Sequence, residues 1–288
     1  MKSSIQVFLE NILFSMLSVL KIIIQSKAVK IKNNSTSLEL VILGNGPSLN
    51  KQIFNHIKFL DNKDLICVNH FPKTTYYEKL KPAYYVTGAP DLWLDDIEEK
   101  FVISSKLLFE AMAEKTNWPL SFFIPFEAKK HKRWQEQLKI NKNINIIYYN
   151  NTPVEGFDWL NRLVFNYKLG MPRPHNVMIP CLMIAIWMNY KNLFLWGTDH
   201  SWLKEISVDR DNNVLINQKH FYDEKISKPE TLDKRGKDKR NLGELLFKFM
   251  NAFQGYYTIS NYASIKHVEI INNTELSYID AFKKEKIN

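Results

Sequence analysis

The sequence has few cysteines and few glycines, and no internal repeat is evident. Only two cysteines occur among its 288 residues, Cys67 and Cys181, and both lie in apolar runs. We therefore expect two buried free thiols and no disulfide or cysteine-based metal site, which suits a reducing cytoplasm. The length allows one large or two smaller domains with a substantial core.

The sequence also lacks an uninterrupted apolar run of about 20 residues, the length that crosses a bilayer. Its most apolar stretch, residues 5–24, is interrupted by Glu10 and Lys21, and no signal-peptide cleavage site precedes the basic segment 27–32. We predict a helix that lies in the membrane interface or packs on the domain; a core helix or an oligomer contact is an equal alternative. A basic linker, residues 30–37, then reaches anionic headgroups.

These features divide the chain into a helix with its linker, residues 1–37, and a main domain, residues 38–288. The expected location is cytoplasmic, peripheral on the inner face of the cytoplasmic membrane. The net charge of +9 suits nucleic acid, an anionic membrane or phosphorylated substrates alike. No nucleic-acid motif accompanies the basic and aromatic stretch 129–134, so we expect no nucleic-acid partner.

One short stretch does carry a phosphate-binding pattern. Residues 38–43 are apolar except for Glu39 and predict a strand buried on both faces, and the turn Gly44-Asn45-Gly46-Pro47-Ser48 follows it directly. Glycines permit positive φ and let backbone N–H groups approach an anion, and Ser48 lies where a helix N-terminus favours negative charge. The turn is neither a complete dinucleotide fingerprint nor a P-loop. An ordinary strand-to-helix loop is therefore an equal reading of the turn alone.

Other strands are predicted to end in polar residues. The strand 64–68 ends at Asn69, and the strand 191–197 ends at Gly197 with Thr198, Asp199 and His200 after it. Ligands bind at the carboxyl ends of strands in open α/β sheets, so Asn69, Gly197, Thr198 and Asp199 are candidate contacts. His200 is a further candidate for orienting a ribose or an acceptor hydroxyl.

No metal site is expected, because Asp91, Asp95 and Asp96 do not have aspartate-x-aspartate spacing and are interpreted as a solvated helix start.

The remaining pattern predicts an α/β protein with a doubly wound, mostly parallel sheet. The polar lead-in 173–176 precedes the almost wholly apolar stretch 177–190, which predicts a buried helix. Further elements are expected as follows: strands at 83–87, 102–109, 121–124, 144–149 and 267–271, helices at 51–59 and 242–253, and a flexible lid at about 203–241.

Taken together, these residues resemble the bacterial sialyltransferases that cap lipooligosaccharides. The resemblance covers about residues 38–282 and includes Gly44-Asn45-Gly46-Pro47-Ser48-Leu49, Asn69, the buried helix, Leu195-Trp196-Gly197-Thr198-Asp199 and Lys219-His220-Phe221-Tyr222. That family transfers a sugar acid from a CMP donor with inversion, on a Rossmann-like domain with a small lid. A broader set, which includes pterin diphosphokinases, shares the glycine turn.

The resemblance implies roles for individual residues. Asn45 and Ser48 would hold the donor phosphate and ribose with the glycine turn, and Asn273 and Thr274 would contact the nucleoside. His220 would be the general base, with Tyr222 as a weaker candidate. The tyrosines that stabilise the leaving phosphate in the family have three candidates here, Tyr148, Tyr149 and Tyr167.

The expected function is therefore transfer of a 2-keto sugar acid (sialic acid, Kdo or a relative) from a CMP donor to a cell-surface glycan or glycolipid. No metal or other cofactor is expected to be required, and a homo-oligomer is allowed. Two alternatives stay open: a Mg²⁺-dependent, pterin diphosphokinase-like phosphotransferase and a non-enzymatic, membrane-associated binding protein.

Overall fold

The computed structural model describes residues 3–33, 35–217, 220–222, 229–231 and 239–287. The strands are β1 (Glu39–Leu43), β2 (Asp64–Val68), β3 (Tyr84–Val86), β4 (Leu120–Pro125), β5 (Ile144–Tyr149), β6 (Asn192–Trp196), β7 (Ile206–Val208), β8 (Val214–Ile216), β9 (Glu230–Thr231), β10 (Glu269–Asn272) and β11 (Lys283–Lys284). The helices are α1 (Ser4–Gln25), α2 (Leu49–His56), α3 (Thr75–Leu80), α4 (Glu99–Lys115), α5 (Arg133–Leu138), α6 (Asp158–Asn166), α7 (Met178–Trp187) and α8 (Leu242–Ile265).

The main sheet has eight strands in the order β11-β10-β6-β1-β2-β3-β4-β5. Every neighbouring pair in it is parallel, which confirms the predicted fold class. From β1 the chain builds the sheet outward through β5, and it then returns to the other side of β1 with β6. The point at which the strand order reverses lies between β1 and β6, where α/β sheets of this kind bind ligands.

The two faces of the sheet carry separate cores. Leu40 and Ile42 of β1 pack with α6, α7 and α8, whereas Val41 and Leu43 face α2 and α4. This alternation explains why β1 is apolar from Leu40 to Leu43, since a strand covered on both faces has no solvent side. All ten residues of α7 are buried, as its uniformly apolar sequence predicts.

Three predicted elements differ from the structure. The strand expected at 102–109 is wrong, because these residues belong to α4, which buries Ser105, Leu108 and Met112 at helical spacing. The helix expected at 242–253 continues to Ile265. The strand expected last, at 267–271, is β10, and β11 pairs beside it as a further edge strand.

The α1 helix is 22 residues long. Its most apolar 18-residue segment has a mean hydropathy of 2.0, and only 11% of that segment is buried. By length and composition the whole helix could cross a membrane, although Glu10 and Lys21 interrupt its apolar run. A soluble core helix or a signal sequence meets the same criterion. The buried residues of α1 are two serines, Ser15 and Ser18.

Within the region predicted as a lid, β7, β8 and β9 form a small antiparallel sheet. Val214 and Ile216 of this sheet pack on Leu245 and Phe249 of α8. Lys219 and the loop cations Lys234, Arg235 and Lys237 lie outside the described residues. The function of this region as a lid, and the division of the chain at residue 37, stay predictions.

Candidate active site

A cavity of about 450 Å³ opens at the carboxyl edge of the main sheet. It lies between the turns that follow β1, β2 and β6, the segment before α7, and the first half of α8. Eight of the residues predicted from the sequence line it: Gly44, Asn45, Gly46, Asn69, Gly197, Asp199, His200 and His220. Five others do not: Ser48, Thr198, Tyr222, Asn273 and Thr274.

The turns after β1 and β6 interlock through their backbones. The N–H of Gly44 donates to the carbonyl of Trp196 at 2.7 Å, and the N–H of Gly46 donates to the carbonyl of Gly197 at 2.8 Å. A Cβ on Gly44 would lie 2.5 Å from the Gly197 carbonyl oxygen, and one on Gly46 would lie 2.0 Å from Asp199 Oδ2. Close packing of the two turns therefore requires glycine at both positions. Because both N–H groups already donate to the turn after β6, an anion in the cavity needs other hydrogen-bond donors.

Asp199 and Gln52 join the two turns through side chains. Ser48 donates from its hydroxyl to Asp199 Oδ2 at 2.8 Å, and the Gly197 N–H donates to Gln52 Oε1 at 2.7 Å. The Ser48 hydroxyl is therefore held by the protein. Asp199 also lines the cavity, and its Oδ2 accepts the hydrogen bond from Ser48.

Two asparagines that line the cavity, Asn45 and Asn69, each bury an amide oxygen that has no hydrogen-bond partner among the described residues. Asn45 donates from Nδ2 to the Val68 carbonyl at 3.0 Å, which leaves its buried Oδ1 unpaired. Asn69, which has a φ of 48°, also buries an unpaired Oδ1. Buried acceptors without a hydrogen-bond partner are costly, so these two asparagine oxygens favour a ligand with hydroxyl or amino donors.

The segment 220–222 closes one side of the cavity. The Phe221 N–H donates to the Asn45 carbonyl at 3.1 Å, and the Phe221 ring packs 5.8 Å from that of Phe71. His220 faces the cavity and stacks on Tyr222, with ring centroids 5.1 Å apart and planes 4° apart. The predicted base is thereby tied directly to the glycine turn, and Tyr222 lies behind it.

The predicted nucleoside contacts form a buried bridge between the ends of β6 and β10. The Thr198 N–H donates to Thr274 Oγ1 at 3.1 Å, and Ser277 donates to the Thr198 carbonyl at 2.6 Å. Asn273 donates from Nδ2 to the Glu285 carbonyl at 2.9 Å. These side chains hold the turn after β6 in place. Contact between any of them and a ligand stays a prediction.

The opposite wall comes from the segment before α7 and from α8. Tyr256 hydrogen-bonds to His200 Nε2 at 2.5 Å and donates to Asn176 Oδ1 at 3.1 Å. Burial lowers the pKa of His200 to about 3, so this histidine is neutral. His175 lies beside Asn176, and burial followed by the charge of Arg173 lowers its pKa to about 4. His175 Nε2 and Asn176 Nδ2 are buried without partners among the described residues.

Three charged residues of the cavity lining were not selected as site residues from the sequence: Lys248, Asp91 and Glu205. Lys248 of α8 lines it, and burial, with Arg240 nearby, lowers the pKa of this lysine. Asp91 also lines it, and burial raises the pKa of its carboxyl, so the interpretation of Asp91 as a solvated helix start is wrong. The helical periodicity of α8 was visible in the sequence, but nothing there indicates that Lys248 faces a strand end.

The three candidate tyrosines lie outside the cavity lining. Tyr149 is fully buried and donates to the Thr87 carbonyl at 2.7 Å, which gives it a structural role. Tyr148 packs against Phe126, and Tyr167 is 69% exposed after the end of α6. Within the described part of the chain, no group of three or more histidine, cysteine, aspartate or glutamate side chains is arranged to hold a metal ion.

No family model and no curated protein matches the chain. Among solved structures, the chain is similar to the MAf glycosyltransferase from Magnetospirillum magneticum AMB-1, with a TM-score of 0.49 and 10% sequence identity. The superposition covers 96% of this chain but only 38% of the length of that chain. At this level of identity and overlap, the match assigns neither a family nor an activity.

Proposed function

We propose that the chain is a glycosyltransferase that uses a nucleotide-sugar donor. The observation that carries the proposal is the composition of one cavity at the strand-order reversal: two lining asparagines, Asn45 and Asn69, that each carry an unpaired amide oxygen, a histidine at one side, and a lysine at the other. The amide oxygens suit ribose or sugar hydroxyls. Lys248 suits the negative charge of a nucleotide phosphate.

In this mechanism His220 is the general base. An imidazole nitrogen of His220 accepts the proton of the acceptor hydroxyl while that oxygen attacks the anomeric carbon from the face opposite the leaving group. The bond from the anomeric carbon to the phosphate oxygen breaks, and the nucleotide leaves with the bonding electrons. An unperturbed histidine pKa of about 6.5 suits this task near neutral pH. Lys248 stabilises the charge that develops on the phosphate.

The proposed donor is a CMP-linked 2-keto sugar acid and the proposed acceptor a cell-surface glycan or glycolipid, with inversion at the anomeric carbon. Support comes from the resemblance of the turn Gly44–Leu49 and of the motif around His220 to the lipooligosaccharide sialyltransferases. The choice of cytidine rests on this resemblance alone.

A nucleotide screen tests the donor. Thermal unfolding of the purified chain is followed with CMP, UDP, GDP and ATP, with and without Mg²⁺. Stabilisation by CMP supports the proposal, and CMP release from CMP-sugars with an acceptor glycan then measures turnover. Stabilisation only by ATP with Mg²⁺ would favour a phosphotransferase, and no response to any nucleotide would favour a binding protein.

The assignment of the base has its own test. His220→Ala should abolish turnover but keep donor affinity within about threefold of the parent, since the acceptor proton and not the donor is its target. His56→Ala is the matched control, because His56 ends α2 and does not line the cavity. Turnover retained in His220→Ala would refute the assignment.

A further inference from the structure

The α1 helix buries polar residues and exposes apolar ones, which is the reverse of a surface helix on a soluble protein. Its buried residues are serines, whereas its outward stripe is apolar and more than half exposed: Ile5 (72%), Leu9 (58%), Leu13 (54%), Met16 (66%), Leu20 (54%) and Ile23 (72%). The stripe follows steps of three and four residues and contains no charge. Exposed apolar surface of this extent on one helix marks an interaction site.

Polar contacts hold the inner face of α1 on the domain. Ser18 Oγ donates to the Glu155 carbonyl at 2.8 Å and accepts from the Glu155 N–H at 2.9 Å. Ser15 Oγ accepts from the Phe157 N–H at 3.0 Å. Gly156 lies directly under the helix, where a Cβ would meet Ser15 Oγ at 2.3 Å. The fit depends on small side chains on both partners.

Contacts extend along nearly the whole helix. Phe8 lies edge-on to Phe157, with ring centroids 5.7 Å apart, and Ile22 packs on the core. Just after the helix, Ser26 shares a 2.9 Å hydrogen bond with Thr152. From Phe8 to Ser26 is roughly 27 Å at 1.5 Å per residue. A helix held against the domain over this length cannot cross a bilayer without taking the domain into the lipid, so in this arrangement it lies along a surface.

The flanking residues indicate what that surface is. Lys27, Lys30 and Lys32 are exposed, and residues 26–32 contain no acid. Trp159 and Leu163 of α6, and Tyr167 directly after it, are 60%, 48% and 69% exposed at four-residue spacing. Phe157 connects the two helices, since it contacts Phe8 and stacks on Trp159. Apolar residues bordered by tryptophan, tyrosine and lysine match the layers of an anionic membrane interface.

We propose that the outward stripe of α1, together with Trp159 and Leu163 of α6 and Tyr167 directly after it, is a membrane-docking surface on which α1 lies parallel to an anionic bilayer. The three lysines after α1 contact the headgroups, and the apolar stripe enters the acyl boundary. This surface is independent of the proposed glycosyl transfer. One test can therefore fail without affecting the other.

Flotation with lipid vesicles tests whether the membrane-docking surface binds an anionic bilayer. The full chain should float with phosphatidylcholine vesicles that contain phosphatidylglycerol and float less with phosphatidylcholine alone. Leu13→Glu with Met16→Glu should lower partitioning on the order of tenfold or more, because each change removes a buried apolar side chain from the bound state. Phe54→Glu is the control, since Phe54 is 83% exposed on α2 at the other face of the sheet.

Flotation that the double variant leaves unchanged, or no flotation of the parent, would refute the proposal. A detergent-sensitive dimer, seen by light scattering and abolished by the same double variant, would assign the stripe to a second copy of the chain and also refute it. Thermal unfolding of each variant verifies that it folds, and the exposure of these positions predicts little change.

Depth measurements test the orientation. Cys67 and Cys181 are free and fully buried, so a fluorophore attaches selectively to a cysteine introduced at Leu9, Met16 or Ile23. Quenching by lipids labelled at known depths should place all three positions at one shallow level. In a spanning helix, position 16 would lie about 10 Å deeper than the other two, at 1.5 Å per residue. That result would overturn the parallel orientation.

Discussion

A methyl group at Gly46 tests whether the two strand-end turns interlock as described. In Gly46→Ala the added Cβ would lie 2.0 Å from Asp199 Oδ2 and 2.6 Å from the Gly197 carbonyl oxygen. Such distances are far below van der Waals contact, so the turns after β1 and β6 must separate. Separation also stretches the 2.8 Å bond from the Gly46 N–H to Gly197 and the 2.8 Å bond from Ser48 to Asp199.

The expected cost follows from these contacts. Overpacking costs about 1–3 kcal/mol, and each weakened hydrogen bond about 0.5–1.5 kcal/mol. Together they predict a loss of roughly 2–6 kcal/mol in the free energy of unfolding. Thermal unfolding should show a melting temperature lower by on the order of 10 °C. The cavity wall moves with the turns, so nucleotide affinity should fall as well.

Gly88→Ala is the matched control, because Gly88 lines the same cavity but its Cβ would lie 3.5 Å from the nearest atom, Tyr149 Oη. That variant should unfold within a few degrees of the parent. Equal stability of Gly46→Ala and Gly88→Ala would refute the interlock. A double-mutant cycle with Asp199→Ala adds a second check: the penalty should shrink when the carboxylate is absent, by about 0.5–3 kcal/mol, and strict additivity would exclude Asp199 as the obstacle.

Three further predictions concern single side chains. Lys248→Gln should weaken nucleotide binding on the order of tenfold at low salt and less at high salt. Since burial lowers the pKa of Lys248, nucleotide binding to the parent should decline at a less alkaline pH than an ordinary lysine would give. Calorimetric titrations at several pH values measure both effects, and equal affinities of the parent and the variant would contradict the role of Lys248. Asn69→Gly keeps the φ of 48° while it removes the unpaired amide, so donor affinity should fall about fivefold to tenfold with no change in melting temperature; a loss of stability would mean a structural role. His200 has a folded pKa of about 3, below its unfolded value, so its contribution to stability is present above about pH 6.5 and is lost as the pH falls toward 3; denaturant unfolding should show a slope of up to about 1.4 kcal/mol per pH unit, and His200→Asn should reduce that slope.

The sequence predicted much of the central sheet, and two strands, Asp64–Val68 and Ile144–Tyr149, to the residue. These elements were predictable because a strand buried on both faces is a short apolar run bounded by polar residues or glycine. The buried α7 was predictable for the same reason, since no polar face interrupts its sequence. The stretch 102–109 was misassigned because Val102, Ile103 and Phe109 favour strands locally, while the buried residues of α4 recur at helical spacing.

The candidate site was only partly accessible from the sequence. The glycine turn pointed to the correct edge of the sheet, because glycines after a strand mark a close approach of backbone. Sequence could not say what approaches, and in the structure it is the turn after β6 that meets Gly44 and Gly46. Lys248 was missed because its position depends on how α8 packs across α7, a contact between segments that are distant in the chain.

The serine contacts under α1 also set an order of events during synthesis. Ser18 and its partner Glu155 are 137 residues apart in the chain. At roughly 5–20 residues per second, α1 exists for roughly 7–27 s before the loop that receives it has been made. Its apolar stripe is exposed throughout that interval. A membrane or a chaperone near the ribosome can therefore bind α1 before Glu155 has been made, and the folding domain must then compete with that partner for the helix.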